Sequence, residues 1–269
     1  MKKQPCFSII YEDNLILGVN KASGIPVSAV RWDNSGERLD KMLNALYAGP
    51  EGTPAGENKP PFFSRRVFTV HRIDQDTSGI VIFAKDRETH KRLSNAFESR
   101  LVTKRYVAVI HGRPSWKEAA CDLPLAPDGD ARHRTIIDKY QGKKSLTRFR
   151  LLGSAGNYGV IEALPETGRT HQIRVHLAAL GHPVACDPLY GNLKPVFLSS
   201  FKRGWRGDPL KERPLLARLG LHAASLVLPG CRGDPGTGGS MTLQAPLPRD
   251  MAALIKQMGK SAGGFSWAL

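Results

Sequence analysis

The 269-residue sequence predicts an α+β protein with a mixed β-sheet and flanking helices. Short apolar runs such as 79–85 (GIVIFAK) have the length and composition of buried strands. Amphipathic stretches such as 87–100 have the period of a helix instead. Strands and helices alternate irregularly, which favours this class over a doubly wound sheet. Because no internal repeat or long linker interrupts the pattern, residues 1–269 are interpreted as a single domain.

The N-terminal half of the chain predicts strands interrupted by two helices. In order, these are a strand pair at 7–20, a helix at 37–47, an extended segment at 68–73, a strand at 79–85, a helix at 87–100 and a strand at 104–112. Leu39, Met42, Leu43 and Leu46 share one face of the first helix, and Asp86 is a candidate N-cap for the second. Residues 48–66 are rich in proline and glycine, which predicts a surface loop or a disordered insert.

The C-terminal half predicts a hairpin, a capped helix and a final strand–strand–helix arrangement. In order, these are irregular structure at 120–146, a hairpin at 147–153 and 158–165, a helix within 167–181, strands at 219–230 and 241–248, and a helix at 248–259. Thr170 is a plausible N-cap and Gly181 occupies the position of a C′ glycine. Residues 194–220 form a long basic stretch, which we interpret as a loop or insertion.

The charge balance points to a polyanionic partner. The net charge is +15 and the isoelectric point is about 9.9, so the protein attracts nucleic acid phosphates. A membrane surface is the competing partner, but no amphipathic helix with basic flanks stands out. No apolar stretch is long enough to span a bilayer, and the N-terminus lacks a secretory signal, so we expect a cytoplasmic protein. The four scattered cysteines form no C-x-x-C pair and are expected to be reduced thiols.

The stretch HRIDQDTSG at 71–79 places charged residues directly before a buried strand. Asp74 and Asp76 would share a face of an extended segment and could hold a divalent ion, although no matching acidic cluster follows elsewhere. Asp74 could instead act as a nucleophile in carbon–nitrogen bond chemistry, as carboxylates do in glycosidases. A tight turn in which neighbouring polar groups satisfy the backbone explains Asp76 through Gly79, but it explains Asp74 less well.

The same stretch resembles the signature of the RluA-type pseudouridine synthases, H-R-L/I-D-x-x-T-S-G followed by an apolar strand. Four further stretches resemble that family's motifs in the right order, over residues 7 to about 250. They are YEDNLILGVNKASGIPV, VTKRYVAVIHG, ETGRTHQIRVHLAALGHPVACDPLYG, and LHAASLVLP with APLP. Ala22 departs from the usual proline of the first of these, and Ala185-Cys186 departs from the residues common in the third.

This resemblance implies a mixed, largely antiparallel β-sheet core in two halves with a catalytic cleft. It also implies an enzyme that isomerises uridine in RNA to pseudouridine without any cofactor or metal. The partner would be RNA, ribosomal or transfer, and the protein would be a cytoplasmic monomer. Some members carry an N-terminal S4-type domain. Since the opening motif begins at Phe7, we expect no such domain in this sequence.

The resemblance also assigns roles to individual residues. Asp74 matches the nucleophile, and Arg72 matches the arginine that fills the space left by a flipped nucleotide. Tyr106 matches the tyrosine that stacks on the base or exchanges a proton with it, and Arg169 matches the basic partner of the aspartate. Four more residues are expected at the substrate: His71, Thr77, Ile173 and Arg174.

Two other functions stay open at this point. A non-catalytic RNA-binding protein on the same fold is one, although the presence of Arg72, Asp74, Tyr106 and Arg169 together argues against it. A metal-dependent nuclease using Asp74 and Asp76 is the other, and a chelator would distinguish it. The basic segment 194–220 is predicted to contact RNA through side chains that include Lys202, Arg203 and Arg206, and a merely solvated surface loop is the alternative interpretation.

Overall fold

The computed structural model describes residues 5–29, 36–48, 66–230 and 239–261. The strands are β1 (Phe7–Glu12), β2 (Ile16–Lys21), β3 (Phe68–Thr69), β4 (Ser78–Ala84), β5 (Thr103–His111), β6 (Glu118–Cys121), β7 (Leu125–Ala126), β8 (Ile136–Ile137), β9 (Thr147–Ala155), β10 (Tyr158–Pro165), β11 (Leu221–Leu228) and β12 (Met241–Gln244). The helices are α1 (Leu39–Ala48), α2 (Arg87–Glu98), α3 (Gln172–Ala179) and α4 (Arg249–Ser261). The strand pairing is largely antiparallel, which confirms the predicted α+β class.

The chain divides into two compact units, the first made of residues 1–103 and 225–246. Its strand order is β1-β2-β4-β11, with β12 paired to β11, of which residues 225–228 belong to this unit. Every residue of β4 is buried, because its sequence SGIVIFA offers apolar or small side chains to both faces of the sheet. Asp86 accepts a hydrogen bond from the backbone N of Thr89 at 2.8 Å, which confirms the predicted cap of α2.

The second unit comprises residues 104–224 and 247–269. Its strand order is β5-β10-β9-β6, joined by residues 221–224 of β11. Side chains alternate across β5, so that Ala108 and Ile110 face one core with Ile173 and Leu177 of α3. Val107 and Val109 belong to a second core, which α4 covers. Four side chains of α4 are buried there: Met251, Leu254, Ile255 and Met258.

Three details of the prediction need correction or fall outside the described residues. Leu46 was predicted on the buried face of α1, but it is 59% exposed, while Leu39 and Leu43 are buried. Thr170 does not cap α3, since His171 holds the N-cap position in the left-handed region with φ of 54°. The predicted loop at 48–66 lies outside the described residues apart from its two end positions.

The basic segment 194–220 is tied into the second unit although it contains no helix or named strand. Val196 and Leu216 form an isolated antiparallel bridge, and both side chains are buried. Phe201 is also buried and packs edge-on against Tyr158 at 6.4 Å between ring centroids. The segment is therefore anchored by apolar side chains and presents its charges from a fixed backbone.

Two further expectations concern the cysteines and the helices. Cys6, Cys121 and Cys186 are free thiols, as predicted, and Cys231 lies outside the described residues. Burial raises the pKa of Cys186 to about 11, so this thiol stays protonated near neutrality. Within the described residues, no helix combines the length and the hydropathy needed to cross a membrane.

Candidate active site

Asp74 lies in the first unit, on a turn that leads into the buried strand β4. The backbone N of Thr77 donates to the Asp74 carbonyl at 3.1 Å, which closes the turn. Ile73, immediately before it, is only 6% exposed and holds the turn against the core. Asp74 itself is half-buried. A carboxylate is thus carried at the edge of a rigid strand while part of its surface stays accessible.

Lys21, the last residue of β2, fixes the backbone beside Asp74. Its side chain is 1% exposed, and Nζ donates to the carbonyl oxygens of Ala22 (2.9 Å), Ile25 (2.8 Å) and Gln75 (2.8 Å). Buried ammonium groups are stable only when their donors are satisfied, as they are here. Because Gln75 follows Asp74 directly, Lys21 links the loop after β2 to the Asp74 turn.

Two more hydrogen bonds join the same two loops. Ser23 Oγ donates to the Asp76 carbonyl at 2.7 Å. Gly24 N donates to the Gln75 carbonyl at 2.9 Å, and Gln75 Nε2 returns a bond to the Gly24 carbonyl at 3.2 Å. The opening KASG motif is therefore part of the support for the Asp74 turn. The resemblance included this motif but gave no role to Lys21, whose signal is that it is the one charged residue of β2.

The three other predicted residues of this unit differ in their surroundings. Arg72 is exposed, and its side chain makes no hydrogen bond or ion pair with the described residues. His71 accepts a hydrogen bond from Ile82 N at 3.0 Å through Nε2 and stacks on Phe97 at 4.4 Å. Thr77 is 2% exposed, and its Oγ1 is buried with no hydrogen-bond partner in the described part of the chain. His71 thus supports the turn, whereas Arg72 is available to a ligand.

Tyr106 and Ile173 belong to the same core of the second unit. Tyr106 is half-buried in β5, opposite Ala163 of β10, and packs against the core that contains Ile173. Ile173 is 6% exposed, on the first turn of α3. An aromatic ring and a branched aliphatic side chain therefore belong to the same apolar core, and their role as a base-binding wall stays a prediction.

Gln172 holds the loop that carries Arg169. Its Oε1 accepts from Thr167 Oγ1 at 2.7 Å and from the Arg169 backbone N at 3.0 Å. Its Nε2 donates to the Leu146 carbonyl and to Thr147 Oγ1, both at 2.9 Å. Gln172 is 4% exposed, and all four hydrogen-bonding positions of its amide are used. Arg169 is half-buried, and its Nε donates to the Lys144 carbonyl at 3.2 Å.

His176 continues this network into the core. The Leu123 carbonyl, 3.0 Å from Nε2, can only accept, so Nε2 carries the proton and Nδ1 accepts from Thr147 Oγ1 at 3.0 Å. Burial lowers the pKa of His176 below 6.5, so the ring is neutral near pH 7. A continuous chain of hydrogen bonds therefore runs from the protein interior through Gln172 to the backbone of Arg169.

Arg174 is bound within the protein. It is 2% exposed and forms a bidentate ion pair with Asp187, in which the Nε–Oδ2 and Nη2–Oδ1 distances are both 2.8 Å. Asp187 is fully buried and also accepts from the backbone N of Leu189 and of Tyr190. Burial alone would raise the pKa of Asp187, but the hydrogen bonds and charge of Arg174 lower it below 3.8. These contacts favour a positioning role for Arg174.

The start of α3 is fixed from the side by Tyr190. Its hydroxyl lies 2.9 Å from His171 Nδ1 and accepts from Thr135 N at 2.9 Å, while its ring lies under the Arg174 guanidinium at 5.2 Å. His171 can therefore keep its left-handed backbone at the helix N-cap. In this unit, Tyr106, Ile173, Arg174 and the Arg169 loop all depend on α3 and the strands below it.

The described residues contain no group of three or more His, Cys, Asp or Glu side chains arranged to hold a metal ion. Asp74 and Asp76 accordingly have no third ligand within those residues. Carboxylate pairs that bind divalent ions in proteins need further oxygen ligands to complete the coordination shell.

Comparison with known proteins connects these features to one family. The family model for RNA pseudouridylate synthases matches residues 15–179. A ribosomal large subunit pseudouridine synthase D of Zymomonas mobilis is 33% identical over 256 residues, covering 93% of this chain and 72% of the relative. An uncharacterized RNA pseudouridine synthase of Bacillus subtilis, YlyB, is 33% identical over 255 residues, covering 94% of this chain and 73% of the relative.

A solved structure agrees with the sequence relatives. The human RNA pseudouridylate synthase domain containing 1 superimposes with a TM-score of 0.67 at 25% identity, covering 100% of this chain and 94% of that one. The match confirms the fold, and the sequence relatives confirm the resemblance to RluA-type enzymes. The chain therefore belongs to the RNA pseudouridylate synthase family, whose members are isomerases that act on uridine in RNA.

Proposed function

We propose that this protein converts specific uridines of structured RNA, ribosomal or transfer, into pseudouridine, with Asp74 as the nucleophile and the target base flipped out of its stack. The observation that carries the proposal is the Asp74 turn itself. Lys21, Ser23 and Gly24 hold the backbone of the two residues that follow Asp74, and the aspartate stays half-buried. A fixed, partly shielded and accessible carboxylate meets the needs of covalent catalysis.

The reaction is an intramolecular transfer. The N1–C1′ glycosidic bond breaks, the detached uracil turns while held in the site, and a C5–C1′ bond forms. The C5 proton is then lost, and N1 gains a proton, so that atoms and charge balance without any added reagent. Asp74 could add to C6 of the ring, attack C1′ of the ribose or assist formation of a glycal, and each route requires an ionised carboxylate beside the base.

Base flipping is needed because a stacked uridine is inaccessible to Asp74. A uridine stacked in an RNA helix cannot reach a carboxylate on a protein turn, and extruding it costs a few kcal/mol. Arg72 is two residues from Asp74, is exposed and has no side-chain partner among the described residues, so its planar guanidinium is available to occupy the vacated space. We propose that Thr77, whose buried hydroxyl lacks a partner within the described residues, serves the substrate from the same turn.

The remaining residues are proposed to serve the same reaction from the second unit. Tyr106 would stack on the uracil or exchange a proton with it, and Ile173 would complete the apolar wall. Arg169 would keep the aspartate ionised and aimed. The hydrogen bonds of Gln172 support this role, because they hold the Arg169 backbone without using the end of its guanidinium. His71 and Arg174 are proposed to act through the residues that they position.

Ribosomal RNA is the favoured substrate. The Zymomonas relative and a relative from Neisseria meningitidis are both named for the large ribosomal subunit. The net charge of +15 suits a large, structured polyanion, and association with it would be fast and salt-dependent. A cytoplasmic location and a monomeric state complete the proposal.

The experiment compares Asp74→Asn with wild type in tritium release from RNA carrying 5-tritiated uridine. We expect the substitution to abolish release, because an amide cannot act as the nucleophile, while RNA affinity and the thermal unfolding curve are retained. Asp76→Asn is the matched control: it makes the same chemical change two residues away, and its backbone carbonyl can keep the bond to Ser23.

Several outcomes would contradict the proposal. Activity of Asp74→Asn within tenfold of wild type would remove the aspartate from the mechanism. A wild-type protein that binds RNA but releases no tritium from ribosomal or transfer RNA would favour the non-catalytic alternative. Loss of wild-type activity in excess chelator would favour a metal-dependent reaction instead.

A further inference from the structure

A polar cavity of about 800 Å³ lies in the second unit beside the turn between β9 and β10. Its size is within the range of natural ligand sites, about 300–1,000 Å³. Three cations line it, Arg113 after β5 and Lys202 and Arg203 of the basic segment, together with four serines. None of its lining residues is acidic. Its chemistry therefore suits a strongly hydrated anion.

The three cations are available to a ligand. Arg113, Lys202 and Arg203 are exposed, and none uses its side chain in a hydrogen bond or ion pair with another described residue. Two cations nearby in the sequence are engaged instead: Arg218 is paired with Asp250 at 2.7 Å, and Lys211 lies 3.6 Å from Asp208. Unpaired positive charges that converge on one cavity favour an anionic occupant.

The backbone segments that form the walls of the cavity are closely packed. Gly156, with φ of +55°, occupies the β9–β10 turn, and a Cβ there would lie 2.6 Å from Phe201 Cβ. Only glycine allows this approach, so the turn and the Phe201 segment are packed directly together. Gly112, before Arg113, is similarly constrained, since an added Cβ would lie 2.7 Å from His182 Nδ1. The cations on both sides of the cavity therefore extend from fixed backbones.

We infer that this cavity binds the sugar–phosphate backbone of the substrate RNA, as a site separate from the residues that act on the uridine. The inference rests on the proposed function, because RNA is the polyanion that this family modifies. Phosphate oxygens would accept from the guanidinium of Arg113, from Lys202 and Arg203, and from serine hydroxyls such as Ser154. The site confers affinity and orientation without reading sequence.

The test measures binding of a fluorescein-labelled RNA hairpin to the full-length protein over a range of salt concentrations. We expect Arg113→Ala and Lys202→Ala/Arg203→Ala each to weaken binding, by about two- to fivefold for each exposed cation. The triple variant should reduce the slope of log K against log salt by about 2 to 3, since each phosphate contact contributes about 0.7 to 0.9. Arg113→Lys, which keeps the charge, should retain most of that slope.

Two comparison variants separate the cavity from general surface charge. Lys256→Ala removes an exposed cation of α4 that does not line the cavity, and we expect its binding curve to match wild type. Arg206→Ala removes a cation of the same basic segment that also lies outside the lining. Arg206→Ala should weaken RNA binding less than Arg113→Ala does. The reason is that Arg113 lines the cavity and Arg206 does not, even though Arg206 belongs to the basic segment and Arg113 is remote from it in sequence.

Three results would overturn the inference. Equal effects of Arg206→Ala and Lys202→Ala/Arg203→Ala, with none from Arg113→Ala, would mean that the segment acts by its overall charge. Unchanged RNA binding in the triple variant would show that the cavity does not bind RNA. If inorganic phosphate stabilised wild type but not that variant, while both bound RNA equally well, the cavity would hold a small anion instead of RNA. Because binding is measured without turnover, failure of tritium release would affect only the proposed function.

Discussion

Replacing Arg174 with methionine should destabilise the protein strongly. It should also change how the buried carboxylate of Asp187 makes stability depend on pH. The substitution keeps much of the side-chain volume but removes the charge that faces Asp187, whose carboxylate is fully buried. Removing one partner of a buried ion pair typically costs about 3–5 kcal/mol. Asp187 would keep two hydrogen bonds, from the backbone N of Leu189 and of Tyr190, so we expect the lower half of this range.

The pH dependence gives the sharper signature. In wild type the pKa of Asp187 is lowered below 3.8, so its contribution to stability is complete above that pH and is lost as the pH falls further. In Arg174→Met the effect of burial would dominate and raise the pKa above 3.8. The ionised carboxylate would then destabilise the fold, and the destabilisation relative to wild type should be larger at pH 7 than at pH 5.

Urea unfolding followed by tryptophan fluorescence measures both effects, because Trp116 packs against a core of the second unit. The double variant Arg174→Met/Asp187→Asn is the control. It removes the unpaired charge but keeps an oxygen for the two backbone N–H groups, so it should recover most of the lost stability. A destabilisation of Arg174→Met that is below about 1 kcal/mol, or that is the same at pH 5 and pH 7, would refute the reasoning.

Three further predictions concern the loops that carry the proposed catalytic residues. Arg169→Met should leave folding intact and lower the single-turnover rate about 100-fold or more, as loss of one preorganised electrostatic contact does; weaker binding with an unchanged rate would make Arg169 a phosphate contact. Lys21→Met should lower the free energy of unfolding by about 2–4 kcal/mol in urea titrations and reduce tritium release, because it leaves the Ala22 and Ile25 carbonyls without their donor. Unchanged stability would contradict the role of Lys21 in linking the two loops. Burial lowers the pKa of His176 below 6.5, so the unfolded chain takes up a proton more readily than the folded protein does. Stability should therefore fall as the pH drops below about 6.5. Thermal unfolding of His176→Gln should lack this pH dependence.

The strands and helix ends that local chemistry determines could be predicted from the sequence. Residues 79–85 are apolar enough to require burial on both faces, and β4 is buried throughout. Asp86 caps α2, and Gly181 follows α3 with φ of +80°, because both positions depend on their own side chain or lack of one.

Positions that depend on distant partners could not be predicted in this way. The N-cap of α3 shifts from Thr170 to His171 because Tyr190 holds the His171 ring, and no local pattern indicates that contact. The resemblance places Arg174 at the substrate but gives no sign of its pairing with Asp187, which depends on how the chain returns after α3. Lys21 illustrates the same limit, since its carbonyl acceptors include one that lies 54 positions later.

Neither compact unit is made from one continuous stretch of chain. The chain enters the second unit at residue 104, returns to the first at 225 and re-enters the second at 247. During synthesis the first unit must wait for the β11–β12 hairpin, and the second must wait for the four buried side chains of α4. Such late, long-range contacts slow folding and leave apolar surface uncovered while the ribosome is still translating. It follows that a separate half of this enzyme could be expressed only by rejoining its two stretches with a new connection.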